Sequence, residues 1–175
     1  MNIVRRTALS IIAMAVTAMA ISGIKPAMSG EVYKIRQIMD LRALVPSDLY
    51  KFVPNYYWVE SGDRINFLNS TGNHTVKSVK GIWPKGAETV DIANQESYDV
   101  KLTVPGVYGF RCKIHARHGM FALVVVDTPE PNLAEAKKAP LGDWARTVFD
   151  ELLVKLEKDR KRRRPIVASL NFDLI

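Results

Sequence analysis

Cys112, His115 and Met120 fall within one nine-residue stretch, C-K-I-H-A-R-H-G-M. Thiolate and thioether are soft donors and imidazole is intermediate, a mixture that suits copper passing between Cu(I) and Cu(II). Mg, Ca or Mn would call for oxygen donors instead. A trigonal site of two imidazoles and one thiolate needs a second histidine, and His74 is the only one upstream of the stretch, in the turn-rich Ser70-Thr71-Gly72-Asn73-His74. Met120 then becomes the weak axial ligand, and Gly119 lets the loop turn back without a side-chain clash. Each residue has an ordinary role open to it: turn histidine, surface histidine, core gap-filler, small buried thiol. What favours metal is their joint occurrence in a chain with one cysteine and three histidines.

A loop presents three donors at once only if strands hold both its ends. The flanks read that way: Val107–Arg111 enters the loop, and Phe121–Val126 leaves it as a continuous apolar run, the pattern of a central strand covered on both faces. Upstream, Val32–Ile38 alternates, Asn55–Glu60 leads into the turn Ser61-Gly62-Asp63 with Asp63 fixing it, and Arg64–Asn69 alternates again. Tyr98–Val104 ends at Pro105-Gly106, a type II turn signal. Short strands separated by turn residues across 31–128 predict one mainly β domain, a sandwich or barrel.

After Asp127 the period changes. Pro129 and Pro131 open a helical stretch running to Ala139, and Gly142-Asp143 offers Asp143 as the N-cap of a second helix. In that helix Trp144, Val148, Leu152 and Leu156 fall four apart, with Phe149 and Leu153 beside them, so 129–164 is expected to pack an apolar stripe on the β domain. The basic run Lys158–Arg164, closed by Pro165, reads as a solvated helix end, since cations suit a helix C-terminus. The tail 165–175 carries no interpretable motif.

Residues 1–30 read as an export signal: Arg5 and Arg6 precede an apolar run from Ala8 to Ile24, broken by Ser10, Thr17, Ser22 and Gly23. Cleavage could follow Ala20 or fall near Ser29; the later site is preferred because it leaves a chain that starts at its first strand, with no stable membrane insertion. Removing the segment takes away Arg5, Arg6 and Lys25 and no acid, so the formal charge falls from +7 to +4. That balance favours an acidic protein partner or an anionic surface and is too small for nucleic acid without a basic stripe interleaved with aromatics. A single exported cysteine forms no internal disulfide. The sequence has no Gly-rich phosphate loop and no paired carboxylates in a catalytic context, so most enzyme classes have no foothold.

From Val32 to Leu156 the chain resembles the pseudoazurins, a branch of the cupredoxins. The likeness is carried by the four ligand positions, by G-D-R-I-N-F before His74 and I-W-P-K-G-A-E after it, by V-P-G-V-Y-G-F-R-C entering the loop, and by M-F-A-L-V-V-V leaving it. It implies a Greek-key β-barrel with two C-terminal α-helices, one type 1 (blue) copper held by His74, Cys112, His115 and Met120, and one-electron shuttling between periplasmic redox proteins by a monomer that is not an enzyme. His115 would be the electron port, ringed by Lys113, Arg117, Lys77, Lys80 and Lys85. The alternative from another class is a periplasmic copper carrier or buffer without a redox cycle, which a closed four-ligand site suits poorly.

Three positions depart from the family pattern. Thr75 stands where Asn usually follows the first ligand, which leaves open the side-chain tie between the two ligand loops. Ile114 replaces the usual Pro, and its N–H is expected to reach the Cys112 sulfur. His118 stands where Met is common, either as an ordinary loop histidine or as an imidazole close enough to tune the site or compete with Met120.

Overall fold

The computed structural model describes residues 30–69, 73–93 and 95–163. The export segment, apart from Gly30, lies outside the described residues, as do the turn residues Ser70, Thr71 and Gly72 and the tail 165–175. Among the described residues no helix is long and apolar enough to cross a membrane.

Two β-sheets form a sandwich with C-terminal helices, as predicted. One sheet has the order β2-β1-β4-β7, built from β1 (Val32–Met39), β2 (Tyr50–Val53), β4 (Arg64–Asn69) and β7 (Ser97–Lys101). The other runs β3-β9-β8-β5-β6, from β3 (Tyr56–Val59), β5 (Thr75–Ser78), β6 (Asp91–Ala93), β8 (Gly106–Arg111) and β9 (Phe121–Val126). Pairings β1/β4 and β3/β9 are parallel; the others are antiparallel.

β9 explains the architecture. All six of its residues are buried. Ala122, Val124 and Val126 point into the space between the sheets, with Ile35, Phe52, Ile65, Phe67 and Phe110. Phe121, Leu123 and Val125 point the other way, into a second core closed by α2 (Leu133–Lys137) and α3 (Asp143–Arg163) through Leu133, Phe149, Leu152 and Leu156. A strand with an apolar layer on each side has no polar face, which is why its sequence does not alternate.

The turn before β4 is held by Asp63, as predicted: its buried carboxylate accepts the backbone N–H of Glu60 and of Glu31, both at 2.8 Å. Gly106 starts β8 at φ +140, and a Cβ there would lie 2.6 Å from Asn132 Oδ1, so close approach to Asn132 is what demands glycine.

Two expectations for α3 need correcting. Val148, Phe149, Leu152 and Leu156 are buried, but Trp144 is 43% exposed, because the first turn of α3 reaches beyond the second core to lie over the loop before β9. The basic end is not simply solvated: Arg160 pairs with Glu130, and the Arg163 guanidinium sits 4.8 Å over the Trp58 ring. A short helix α1 (Pro46–Leu49), with Pro46 in its first turn, precedes β2 and was not predicted.

Candidate metal centre

His74 directly precedes β5, and Cys112 directly follows β8. Those strands pair antiparallel, with Lys77 opposite Arg111 and Ser78 opposite Phe110, so the ladder itself carries the upstream histidine to the downstream loop. Beyond Cys112 the loop tightens into one 3-10 turn, Ala116–His118, with the His118 N–H bonded to the His115 carbonyl at 2.9 Å. Gly119 ends it at φ +82, a left-handed conformation that glycine adopts readily, and the Cys112 N–H bonds the Met120 carbonyl at 3.2 Å. The loop thus closes on itself before β9 begins.

Three predicted ligands converge. His74 Nδ1 lies 3.1 Å from His115 Nδ1, and that atom lies 3.5 Å from Cys112 Sγ. Donor atoms of the three residues all fall within 4.8 Å of one another, and among the described residues no carboxylate joins the group. Such spacing suits a shared ion at bond lengths of roughly 2.0–2.3 Å, and two nitrogens with one sulfur exclude a hard cation. Cys112 and Met120 are both fully buried in the core between the sheets, and His74 is 1% exposed. His115 is half-buried at the loop tip.

Burial, and after it the neighbouring His115, pushes the His74 pKa down to about 4. His115 is also lowered, first by burial and then by His118 and Arg117. Both rings are therefore neutral at neutral pH, the form that ligates metal.

Thr75 changes the picture drawn from the sequence. Its side chain supplies the tie between the two ligand loops: Oγ1 accepts the Lys113 N–H at 2.7 Å and lies 3.7 Å from Cys112 Sγ, while the Thr75 N–H reaches that sulfur at 3.4 Å. The Ile114 N–H is not among the donors to Cys112 Sγ, and Ile114 itself is 50% exposed. The expected bond from Ile114 is therefore replaced by one from Thr75. His118 stays outside the ligand group and is half-buried, its ring centroid 5.5 Å from that of Tyr50.

Sequence reasoning missed Tyr50. Its ring stacks on His115 with centroids 3.7 Å apart and planes 5° from parallel. No spacing motif links residues 50 and 115; the contact exists because the two sheets bring β2 against the loop before β9. Of the expected basic ring, Lys77 pairs with Asp91, whereas Lys80, Lys85, Lys113 and Arg117 are exposed.

The model of copper binding proteins of the plastocyanin/azurin family matches residues 40–127. The pseudoazurin of Paracoccus pantotrophus is 37% identical over 105 residues, 60% of this chain and 72% of that protein. The pseudoazurin of Methylorubrum extorquens is 32% identical over 148 residues, 85% of this chain and 97% of that one. In three dimensions, the crystal structure of pseudoazurin from Methylobacterium extorquens AM1 superposes with a TM-score of 0.64 at 30% identity, covering 72% of this chain and 99% of that structure.

Proposed function

The chain belongs to the plastocyanin/azurin family of copper-binding proteins and is pseudoazurin-like, and from that premise we propose that it is a periplasmic one-electron carrier whose type 1 copper is held by His74, Cys112, His115 and Met120. The observation that carries this reading is the convergence of His74, Cys112 and His115, with His115 Nδ1 against both His74 Nδ1 and the Cys112 sulfur, at the loop between two core strands.

When bound, copper supplies a one-electron couple. The protein contributes a cage that need not rearrange when charge moves. His74 and Cys112 are buried at the ends of paired strands, and Thr75 links their loops through Lys113. Hydrogen bonds from Thr75 satisfy the sulfur without adding a charge. The apolar surroundings of Cys112 and Met120 keep water away. Half-buried His115 offers a path to the surface, and exposed Lys113 and Arg117 on the same loop would steer an acidic redox partner to it, at rates that fall with salt.

The test is the visible spectrum of the copper-loaded protein. An intense thiolate-to-copper band that vanishes in Cys112→Ala is expected, and a colourless Cu(II) complex would overturn the site. Stopped-flow electron exchange with a small reductant, with copper retained over repeated cycles, separates a carrier from a copper buffer.

A further inference from the structure

We infer that Tyr50 is a positioning residue: its ring holds the His115 imidazole in the orientation that aims Nδ1 at Cys112 and His74. The purpose of the contact rests on the copper site proposed above, whereas the contact itself is a property of the chain.

A metal-ligating histidine is ordinarily oriented through its second ring nitrogen, which donates to a carboxylate, carbonyl or water. In His115 the polar contacts of the ring all run through Nδ1, toward His74 and Cys112, and no described protein group bonds its Nε2. The ring is half-buried at a loop tip, where rotation about χ2 would swing Nδ1 away from the other donors. The Tyr50 face opposes that rotation. At 5° between planes and 3.7 Å between centroids, the phenol covers one whole side of the imidazole.

Tyr50 is itself firmly placed. It begins β2, paired with Met39 of β1, and the Asp40 N–H closes onto the Leu49 carbonyl at 2.8 Å immediately before it. Its anchor therefore lies in one sheet and its target in the loop of the other. The same ring meets His74 edge-on at 6.1 Å and His118 at a tilt at 5.5 Å. One aromatic side chain thus packs against every histidine of the sequence.

The experiment compares wild type, Tyr50→Phe and Tyr50→Leu, by histidine-ring NMR of the copper-free protein and by Cu(I) release to a competing chelator. Wild type and Tyr50→Phe should show contacts between the residue-50 ring protons and His115, with upfield-shifted His115 ring protons. Tyr50→Leu should lose the shift and release Cu(I) about two- to tenfold faster, the range that an aromatic stack represents. Unchanged ring shifts or unchanged release in Tyr50→Leu would overturn the inference. So would a Tyr50→Phe that behaves like Tyr50→Leu, because the hydroxyl and not the ring face would then be acting. If Tyr50→Leu does not fold, wild-type spectra without contacts between the two rings overturn it alone. Failure of the wild type to bind copper would sink the proposed function and leave the copper-free ring measurements to decide the role of Tyr50.

Discussion

Thr75 Oγ1 accepts the backbone N–H of Lys113 at 2.7 Å, joining the loop that carries His74 to the loop that carries Cys112 and His115. The hydroxyl can donate its own proton toward Cys112 Sγ, 3.7 Å away. Thr75→Val keeps the β-branched shape and removes both interactions. It leaves the Lys113 N–H without its acceptor, so a loss of about 1–2 kcal/mol is expected by chemical denaturation of the copper-free protein. A donor on the sulfur withdraws electron density and favours Cu(I), so the potential should also fall. Thr75→Ser should restore both, and a Val variant indistinguishable from wild type would show that the hydroxyl ties nothing.

Ile114→Pro is the complementary substitution. Because the sulfur takes its backbone donor from Thr75, proline at 114 removes no hydrogen bond to Cys112. The potential should move by less than about 30 mV, half of the roughly 59 mV that a tenfold one-electron change represents. A larger fall in redox titration would mean that the Ile114 N–H does reach the sulfur when copper is bound.

The candidate ligand group was legible because three of its members are local. Cys112, His115 and Met120 share one loop, and a single upstream histidine closed the set without any knowledge of the fold. β9 was legible for a related reason, since a strand buried on both faces writes an unbroken apolar run. The short strand β6, Asp91–Ala93, buries one residue and leaves no such signal. Tyr50 was invisible as a partner of the site because its contact joins elements distant in sequence; Thr75 stood out beside His74, but its bond to Lys113 did not. Trp144 matched the helical stripe by spacing and stands exposed because α3 starts before the core it packs on does. Periodicity reports which face of a helix is apolar; where the helix begins to be covered is decided by its neighbours.

Asn132 gives a stability prediction well outside the ligand group. It stands at the N-terminal boundary of α2, yet its side chain makes no capping bond. Oδ1 instead accepts the Val107 N–H at 2.7 Å and Nδ2 donates to the Val107 carbonyl at 2.9 Å, taking the place of a neighbouring strand beside β8. All these groups are buried. Asn132→Ala leaves a buried donor and a buried acceptor unpaired, at a cost of about 2–4 kcal/mol. Urea denaturation should show the loss while the copper-loaded protein keeps its visible spectrum. A loss well under 1 kcal/mol would mean that water replaces the side chain on β8.

Gly119 and Gly86 separate backbone strain from contact at the metal loop. Both have φ in the left-handed region, +82 and +86. A Cβ at Gly86 meets nothing within 4 Å, whereas one at Gly119 would lie 3.1 Å from Val148 Cγ2 and 3.2 Å from the Trp144 carbonyl oxygen. Alanine at either position pays the left-handed penalty of about 1–2 kcal/mol. Only Gly119→Ala must also push α3 and the loop apart, and Met120 is the next residue. Gly86→Ala should therefore lower the melting temperature and leave the visible spectrum unchanged. Gly119→Ala should lower it further and alter the intensity ratio of the copper bands, because the residue that moves with Gly119 is the proposed axial ligand. If the two variants lose the same stability and share one spectrum, α3 does not brace the loop, and the position of Met120 is set by β9 alone.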